Sequence, residues 1–276
     1  MAAFARPTRL DDALRILERE RPRLLVGGTD LYATPDARLA DTSMLDLSAI
    51  RELKGVREAA SGWRIGAATT WTQIIAARLP PAFDALKLAA REVGGCQVQN
   101  AGTIAGNLCN ASPAADGVSP LLALDARIEI AGAGGSRELP VRDFILGPRR
   151  TALRPGELVT AILVPRPAHP ARGTFLKLGA RKYLLISIAM VGAVVEVDDG
   201  VVTTARIAVG ACSPVAQRLR ALEAHLAGQR LAPGIGAHVQ PLHLEGLSPI
   251  DDVRASADYR RDAALELVRR ALESLA

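Results

Sequence analysis

Leu24-Leu25-Val26-Gly27-Gly28-Thr29-Asp30-Leu31 is a short apolar strand that runs directly into paired glycines. Its counterpart lies much later in the chain, at Gly102-Thr103-Ile104-Ala105-Gly106-Asn107. That motif opens a run of small and polar residues, Leu108-Cys109-Asn110-Ala111-Ser112-Pro113-Ala114-Ala115-Asp116. Glycine admits positive φ and lets another group approach main-chain N–H donors that a Cβ would shield. Successive N–H groups in such turns form concave anion sites. Two loops of this kind, brought together by folding, can hold the two phosphates of a pyrophosphate. Taken singly the features are weaker: Gly27-Gly28 also reads as a tight turn, Thr103 and Asn107 as turn formers, and Asp116 as a helix cap. The joint pattern is what points to a ligand.

Outward from these motifs the chain alternates helix and strand. Thr8 to Glu20 predicts a first helix with Leu10, Leu14 and Leu17 on one face and a capping-box-like start from Thr8 and Asp11. Strands are expected at Leu24–Val26, Met44–Leu47 and Trp63–Ala67. A helix from Thr70 to Ala77 is capped by Thr69 or Thr70, and a longer one from Pro81 to Val93 stops at Gly94-Gly95. Ser119–Leu124 predicts a short helix, and Arg127–Ala131 and Leu158–Val164 predict strands, the latter halted by Pro165. Pro165-Arg166-Pro167-Ala168-His169-Pro170 carries three prolines in six residues and reads as a linker. Beyond it, Phe175–Gly179, Ile186–Val197, the Asp198-Asp199-Gly200 hairpin signal and Thr204–Val209 predict an antiparallel sheet. Helices follow at Ala216–Ala227 and Asp258–Leu275, the last with Leu265, Val268 and Leu272 on one face. The expected division is a first domain over residues 1–168 and a second over 169–276.

Composition narrows the function classes. With 276 residues, 49% of them hydrophobic and 23% charged, the chain has material for a full core in two lobes. Only 3% is aromatic, which leaves few stacking surfaces for single-stranded nucleic acid. The formal charge of +5 is spread along the chain with no block of one sign, so no nucleic-acid partner is expected. Cys96, Cys109 and Cys212 form no CxxC pair, and His169, His225, His238 and His243 form no metal-ligand spacing. No metal site and no catalytic side chain are expected. The longest apolar stretch, Tyr183 to Val195, is too short to span a bilayer. No charged-then-apolar leader opens the chain, and a soluble, cytoplasmic protein is expected.

Absent fingerprints sharpen the choice of ligand. No GxGxxG follows a strand and no GxxxxGK[ST] occurs, so neither a Rossmann nor a Walker-type site is supported. A pyrophosphate cofactor bound outside those folds is the natural candidate, and FAD fits. Thr29 and Thr103 offer hydroxyls to phosphate oxygens. Asp30, Asn107 and Asp116 offer polar contacts to a ribose or cap the neighbouring turns. Lys54, Lys87, Lys177 and Lys182 are the only lysines. Lys177, within Phe175-Leu176-Lys177-Leu178-Gly179, either snorkels to solvent or meets an anion.

Together these residues resemble the FAD-binding medium subunit of the molybdenum hydroxylases, the xanthine dehydrogenase and carbon monoxide dehydrogenase group. The resemblance rests on Leu25 to Leu31, on Gln97-Val98-Gln99-Asn100-Ala101 with Gly102 to Asn107, and on Ala111 to Asp116. It extends through Gly147-Pro148-Arg149-Arg150-Thr151, Phe175 to Arg181, Ile207-Ala208-Val209-Gly210 and Val253 to Arg260, and so covers nearly the whole chain. It implies an α+β, two-lobed flavoprotein. An N-terminal FAD domain of two α/β subdomains, like that of vanillyl-alcohol oxidase, precedes a smaller C-terminal α+β domain with an antiparallel sheet.

By the same resemblance, Leu24 through Leu31 wrap one side of the FAD pyrophosphate and Gly102 through Asn107 the other. Asp116 reaches the ribose or the nearby phosphate. Val93 and Gly94, a family position often aromatic, lie against the cofactor. Val159 and Lys177 flank the flavin, where a lysine offers positive charge to its reduced form. Two departures stand out. Ala105-Gly106 replaces a frequent Gly-Gly, which demands negative φ at Ala105, and the cysteine-rich insertion of the 4-hydroxybenzoyl-CoA reductase branch is absent.

The function implied is electron transfer. Electrons come from a molybdopterin-binding large subunit through a 2Fe-2S small subunit to FAD here, and then to NAD or another acceptor. A free-standing FAD-dependent oxidoreductase and a flavin-less assembly scaffold are the alternatives. Copurifying chains separate the first from the second, and bound flavin separates it from the third.

Overall fold

The computed structural model describes residues 3–33, 41–181 and 184–276. Lys182 and Tyr183, which figure in the lysine count and the apolar stretch above, lie outside the described residues. The chain opens with β1 (Phe4–Ala5), α1 (Leu10–Glu20), β2 (Arg23–Leu25) and β3 (Met44–Asp46). The three strands form a parallel sheet in the order β1-β3-β2. Ala13 and Leu17 of α1 are buried in a small core with Leu45, Leu47, Ile50 and Leu53. The helix starts at Leu10 rather than Thr8: extended Arg9 takes the N-cap position and makes no side-chain cap, so the expected capping box does not form.

A second layer follows, in chain order β4 (Val56–Ala59), β5 (Gly62–Gly66), α2 (Trp71–Ala76), α3 (Asp84–Glu92), α4 (Cys96–Ala101), α5 (Ile104–Asn110) and α6 (Val118–Ala123). It is completed by β6 (Arg127–Gly132), β7 (Gly135–Pro140), α7 (Val141–Phe144), β8 (Ile145–Gly147), β9 (Arg150–Thr151) and β10 (Leu158–Pro165). Five strands make an antiparallel sheet in the order β4-β5-β10-β6-β7. β10 sits at its centre, paired on both sides, which is why Leu158 to Val164 reads as an almost unbroken apolar run. Thr70 caps α2 in a capping box with Gln73, resolving the Thr69/Thr70 alternative. The single helix expected from Pro81 to Val93 is instead a 3-10 turn, Pro81–Phe83, followed by α3.

The last third forms β11 (Ala171–Leu178), β12 (Ala189–Asp198), β13 (Val201–Gly210), β14 (Gln217–Arg218), α8 (Arg220–Leu226) and α9 (Ala257–Glu273). Its four strands make an antiparallel sheet in sequential order. The tight hairpin between β12 and β13 turns at Asp199 and Gly200, both at positive φ (51° and 77°) as the Asp-Gly signal predicts. The helix expected from Ala216 is shorter, because Gln217 and Arg218 pair with Val209 and Ala208 as a strand. Arg218 then meets the buried carboxylate of Glu223. Ala264, Val268, Ala271 and Leu272 of α9 are buried, whereas Leu265 is only partly buried at the edge.

The two lobes are closely joined. A Cβ on Gly173 would stand 2.3 Å from the Ala82 carbonyl oxygen, and one on Gly192 would stand 2.6 Å from the Pro120 nitrogen. Both glycines belong to the second lobe and both neighbours to the first, so backbone packs on backbone across the junction.

Candidate functional site

β2 is an edge strand of the parallel sheet, and its carboxyl end delivers Val26 to Leu31 into a crevice, where ligands of open parallel sheets bind. The crevice is a cavity of about 310 Å³. Leu24 through Leu31 form one wall, and Thr103, Ala105, Gly106, Cys109 and Asn110 form the other. Leu47, Leu53, Ala67, Ala68, Leu153, Leu158 and Val159 close it.

Gly27 is where the two motifs touch. A Cβ there would fall 1.9 Å from the Ala101 carbonyl oxygen, so no other residue fits without separating them. Gly28 takes φ +67° and lets the chain turn back. Among the described residues, no acceptor is engaged by the main-chain N–H groups of Gly27, Gly28, Thr29, Asp30 or Leu31. Five main-chain donors of this cavity-lining stretch therefore have no partner among the described residues, the donor set an anionic bridge requires.

The second motif is built differently. It is the start of α5, not an open loop. Thr103 is the N-cap, and its Oγ1 accepts from the Gly106 N–H at 3.1 Å. Ile104 N–H donates to the Thr69 carbonyl at 3.1 Å and Ala105 N–H to the Ala67 carbonyl at 3.3 Å. Helical φ at Ala105 removes the difficulty anticipated for an alanine there. The motif thus gives the cavity a floor of small side chains, and the Thr103 hydroxyl proton stays available. Cys109 is open to the cavity, yet desolvation by the surrounding protein pushes its thiol up to about 12.

The remaining sequence candidates lie apart from this cavity. Ile104 is fully buried in the core, and Gly102 packs behind it against Val98 and Thr29. Asn107 turns inward, its Oδ1 accepting from the Gly117 N–H at 3.2 Å. Asp116 accepts from Lys177 Nζ at 2.7 Å and from Ser187 Oγ at 2.6 Å. Lys177 therefore meets an anion rather than solvent, with both side chains 9% exposed. Burial pushes the Asp116 carboxyl up, while Lys177 and Ser187 pull it back down. Lys177 also donates to the Glu92 carbonyl at 3.3 Å and lines a separate cleft of about 520 Å³ with Leu88, Phe175 and Leu184. Val93 caps α3 beside this cleft, and Gly94 turns at φ +57°.

α4 meets Gly27 through Ala101 and Gly94 through Val98; it has no buried residue and is about 9 Å long at 1.5 Å per residue. Cavity residues that the sequence reading missed are mostly plain apolar or small ones, such as Ala67 and Ala68 after β5, which carry no motif, together with one charged residue, Arg23 of β2. Asn110 and Cys109 stand inside the quoted run, one helical turn beyond Gly106. Among the described residues, no helix is long and apolar enough to cross a membrane, and no cluster is suited to hold a metal ion.

Residues 1–167 match the family described as the FAD binding domain in molybdopterin dehydrogenase. Residues 174–275 match the CO dehydrogenase flavoprotein C-terminal domain. The chain is 32% identical over 269 residues to the nicotinate dehydrogenase FAD-subunit of Eubacterium barkeri, covering 94% of this chain and 91% of that one. It is 33% identical over 280 residues to the carbon monoxide dehydrogenase medium chain of Afipia carboxidovorans, covering 98% and 95%. Among solved structures, reconstituted CO dehydrogenase from Oligotropha carboxidovorans superposes with a TM-score of 0.89 at 28% identity, covering 100% of this chain and 99% of that one. An FAD cofactor fits the free amides and glycine-lined wall of the crevice. The chain belongs to the FAD-binding medium subunits of the xanthine and carbon monoxide dehydrogenase family of molybdenum hydroxylases, oxidoreductase subunits that use FAD.

Proposed function

We propose that this chain is the electron-transfer subunit of a molybdenum hydroxylase, receiving electrons from the 2Fe-2S clusters of a small partner and delivering them to NAD or another acceptor. Substrate oxidation would take place in a molybdopterin-binding large partner. The observation that carries the reading is the stretch Gly27 to Leu31, which lines one cavity with the small residues of α5 and whose five main-chain N–H groups have no partner among the described residues. When bound, FAD supplies the electron-carrying chemistry, and the chain's own residues bind and orient it.

In this reading the amides of Gly27 to Leu31 and the hydroxyls of Thr29 and Thr103 hold the pyrophosphate. Val159 lies along the cavity wall. Val93, Gly94, Asp116 and Lys177 serve the same ligand from the side of the cleft. Gly102, Ile104 and Asn107 act from behind, by fixing α5 and the Gly27 contact. The cut at residue 168, between a cofactor domain and a second domain, belongs to the same reading. It is supported by the coverage of nearly the whole length of medium chains from multi-subunit dehydrogenases.

The test is isolation of the native complex from its own cells. Two further chains, one carrying molybdenum and one carrying iron and sulfide, with about one FAD per copy of this chain, are the expected composition. Rapid flavin bleaching by substrate in the complex, absent in the isolated chain, follows from the same scheme. A flavin-containing chain that oxidises a substrate alone would overturn it in favour of a free-standing oxidoreductase. A colourless chain that takes up no FAD would leave only a scaffold.

A further inference from the structure

One side chain ties the two walls of the cavity together from outside it. Arg149 stands in the turn between β8 and β9, at φ +58°, with its N–H donating to the Ala111 carbonyl at 3.0 Å. Its Nη1 donates to Asp30 Oδ2 at 3.0 Å and also to Asn110 Oδ1. Asp30 belongs to the glycine-loop wall and Asn110 to the end of α5, and both line the cavity. Arg149 therefore joins three elements that are far apart in sequence. The joint is at the solvent rim, with the Arg149 and Asp30 side chains 63% and 52% exposed.

The charges make this contact more than a strut. Among the described residues lining the cavity, Asp30 is the only carboxylate. A pyrophosphate bridge is dianionic, and an unpaired carboxylate one residue from the free amides of Thr29 and Leu31 would repel it across the solvent rim of the cavity. Arg149 removes that repulsion while holding the carboxylate turned toward the rim. We propose that Arg149 is a positioning residue for the cofactor: it neutralises Asp30 and clasps the glycine loop to the end of α5, so that the loop presents its amides, not its carboxylate, to the pyrophosphate. This inference rests on the FAD reading of the cavity.

The experiment is a fluorescence titration of the flavin-depleted full chain with FAD, at low and at high salt. Arg149→Gln is expected to weaken binding about tenfold at low salt, a loss of the size expected when one partner of a charge pair is removed. The penalty shrinks at high salt, because screening weakens the exposed Asp30 charge. In the Arg149→Gln background, Asp30→Asn restores most of the loss. Arg149→Lys restores part of it. Arg149→Gly, which suits the positive φ, gives the same loss as Arg149→Gln and guards against a folding artefact.

Three results overturn the proposal. One is wild-type affinity in both Arg149→Gln and Arg149→Gly. Another is a double variant no better than Arg149→Gln alone. The third is a loss well beyond tenfold in Asp30→Asn, which would make Asp30 itself a ligand contact. Failure of the wild-type chain to bind FAD at all is a different outcome, and it removes the FAD reading of the cavity rather than the role of Arg149 within it.

Discussion

The two glycine motifs look alike as sequence and are opposites as structure. Gly27-Gly28-Thr29-Asp30 is an open turn whose amides have no partner in the fold among the described residues. Gly102 to Asn107 is a helix start whose donors are already taken by Thr69, Ala67 and the Thr103 hydroxyl. In the first, glycine is required by backbone geometry: a carbonyl 1.9 Å from where a Cβ would stand at Gly27, and φ +67° at Gly28. In the second, Gly102 and Gly106 adopt φ values open to any residue and are small for the sake of their neighbours. The lesson is that glycine content marks where a chain comes close to something. It does not say whether the backbone or the packing needs it.

Substitution separates the two uses, and the largest effect belongs to Gly27→Ala. The obstructing atom is main chain and cannot swing aside, so the motifs must part. A loss of roughly 3 kcal/mol in stability and near-complete loss of bound flavin are expected, read from the melting temperature and the flavin-to-protein absorbance ratio. Stoichiometric flavin in this variant would show that contact between the motifs is dispensable. Gly28→Ala comes next, costing about 1–2 kcal/mol for a Cβ in the left-handed region. The Tyr32 ring, 2.6 Å from the new methyl, has a side chain's freedom to move. Denaturant unfolding measures this cost, and FAD titration should show a parallel loss of affinity.

On the helix side the effects shrink. Thr103→Ala removes the cap and is expected to cost about 1 kcal/mol, largely recovered in Thr103→Ser. Gly106→Ala gains up to about 1 kcal/mol of helix propensity against a 3.0 Å approach to Thr103 Oγ1. A change in melting temperature of no more than a few degrees follows. A collapse of stability there would mean that the second motif is as constrained as the first. The gentlest probe is chemical. With the Cys109 thiol pushed up to about 12, alkylation stays slow near neutrality and climbs about tenfold per pH unit below that value as the thiolate fraction rises. Added FAD should slow it further by covering the floor of the cavity, while the exposed Cys96 serves as the internal control. Equal alkylation of Cys109 with and without FAD would place the ligand elsewhere.

Much of this architecture was legible because its signals are local. Alternation, apolar runs and turn residues mark β10 and the β12–β13 hairpin. Proline at 165 ends β10, and the Thr70 cap begins α2. What escaped was decided by distant partners. The donors of α5 are taken by carbonyls of Ala67 and Thr69, a segment with no visible link to the motif. Gln217 and Arg218 sit in a stretch that suits a helix, but they complete the edge of a sheet. The cavity walls at Leu47, Leu53, Leu153 and Leu158 are ordinary leucines, indistinguishable in sequence from the core. For Lys177 the sequence leaves solvent and an anion equally open, and that it meets Asp116, sixty-one positions away, is a fact of tertiary structure alone.

That last pair bears on how such a chain can be rearranged in evolution or in the laboratory. The Asp116 carboxylate comes from the first lobe, and Lys177 and Ser187 come from the second. Parting the lobes at the proline-rich stretch would take from each the other's half of this pair, and within the joined molecule removing one partner of a buried pair costs about 3–5 kcal/mol. The halves are not portable parts. A chimaera that borrowed its second lobe from a relative only a third identical would have to inherit the lysine, the serine and the glycines at 173 and 192 with it, because the junction is where the two halves recognise each other as one molecule.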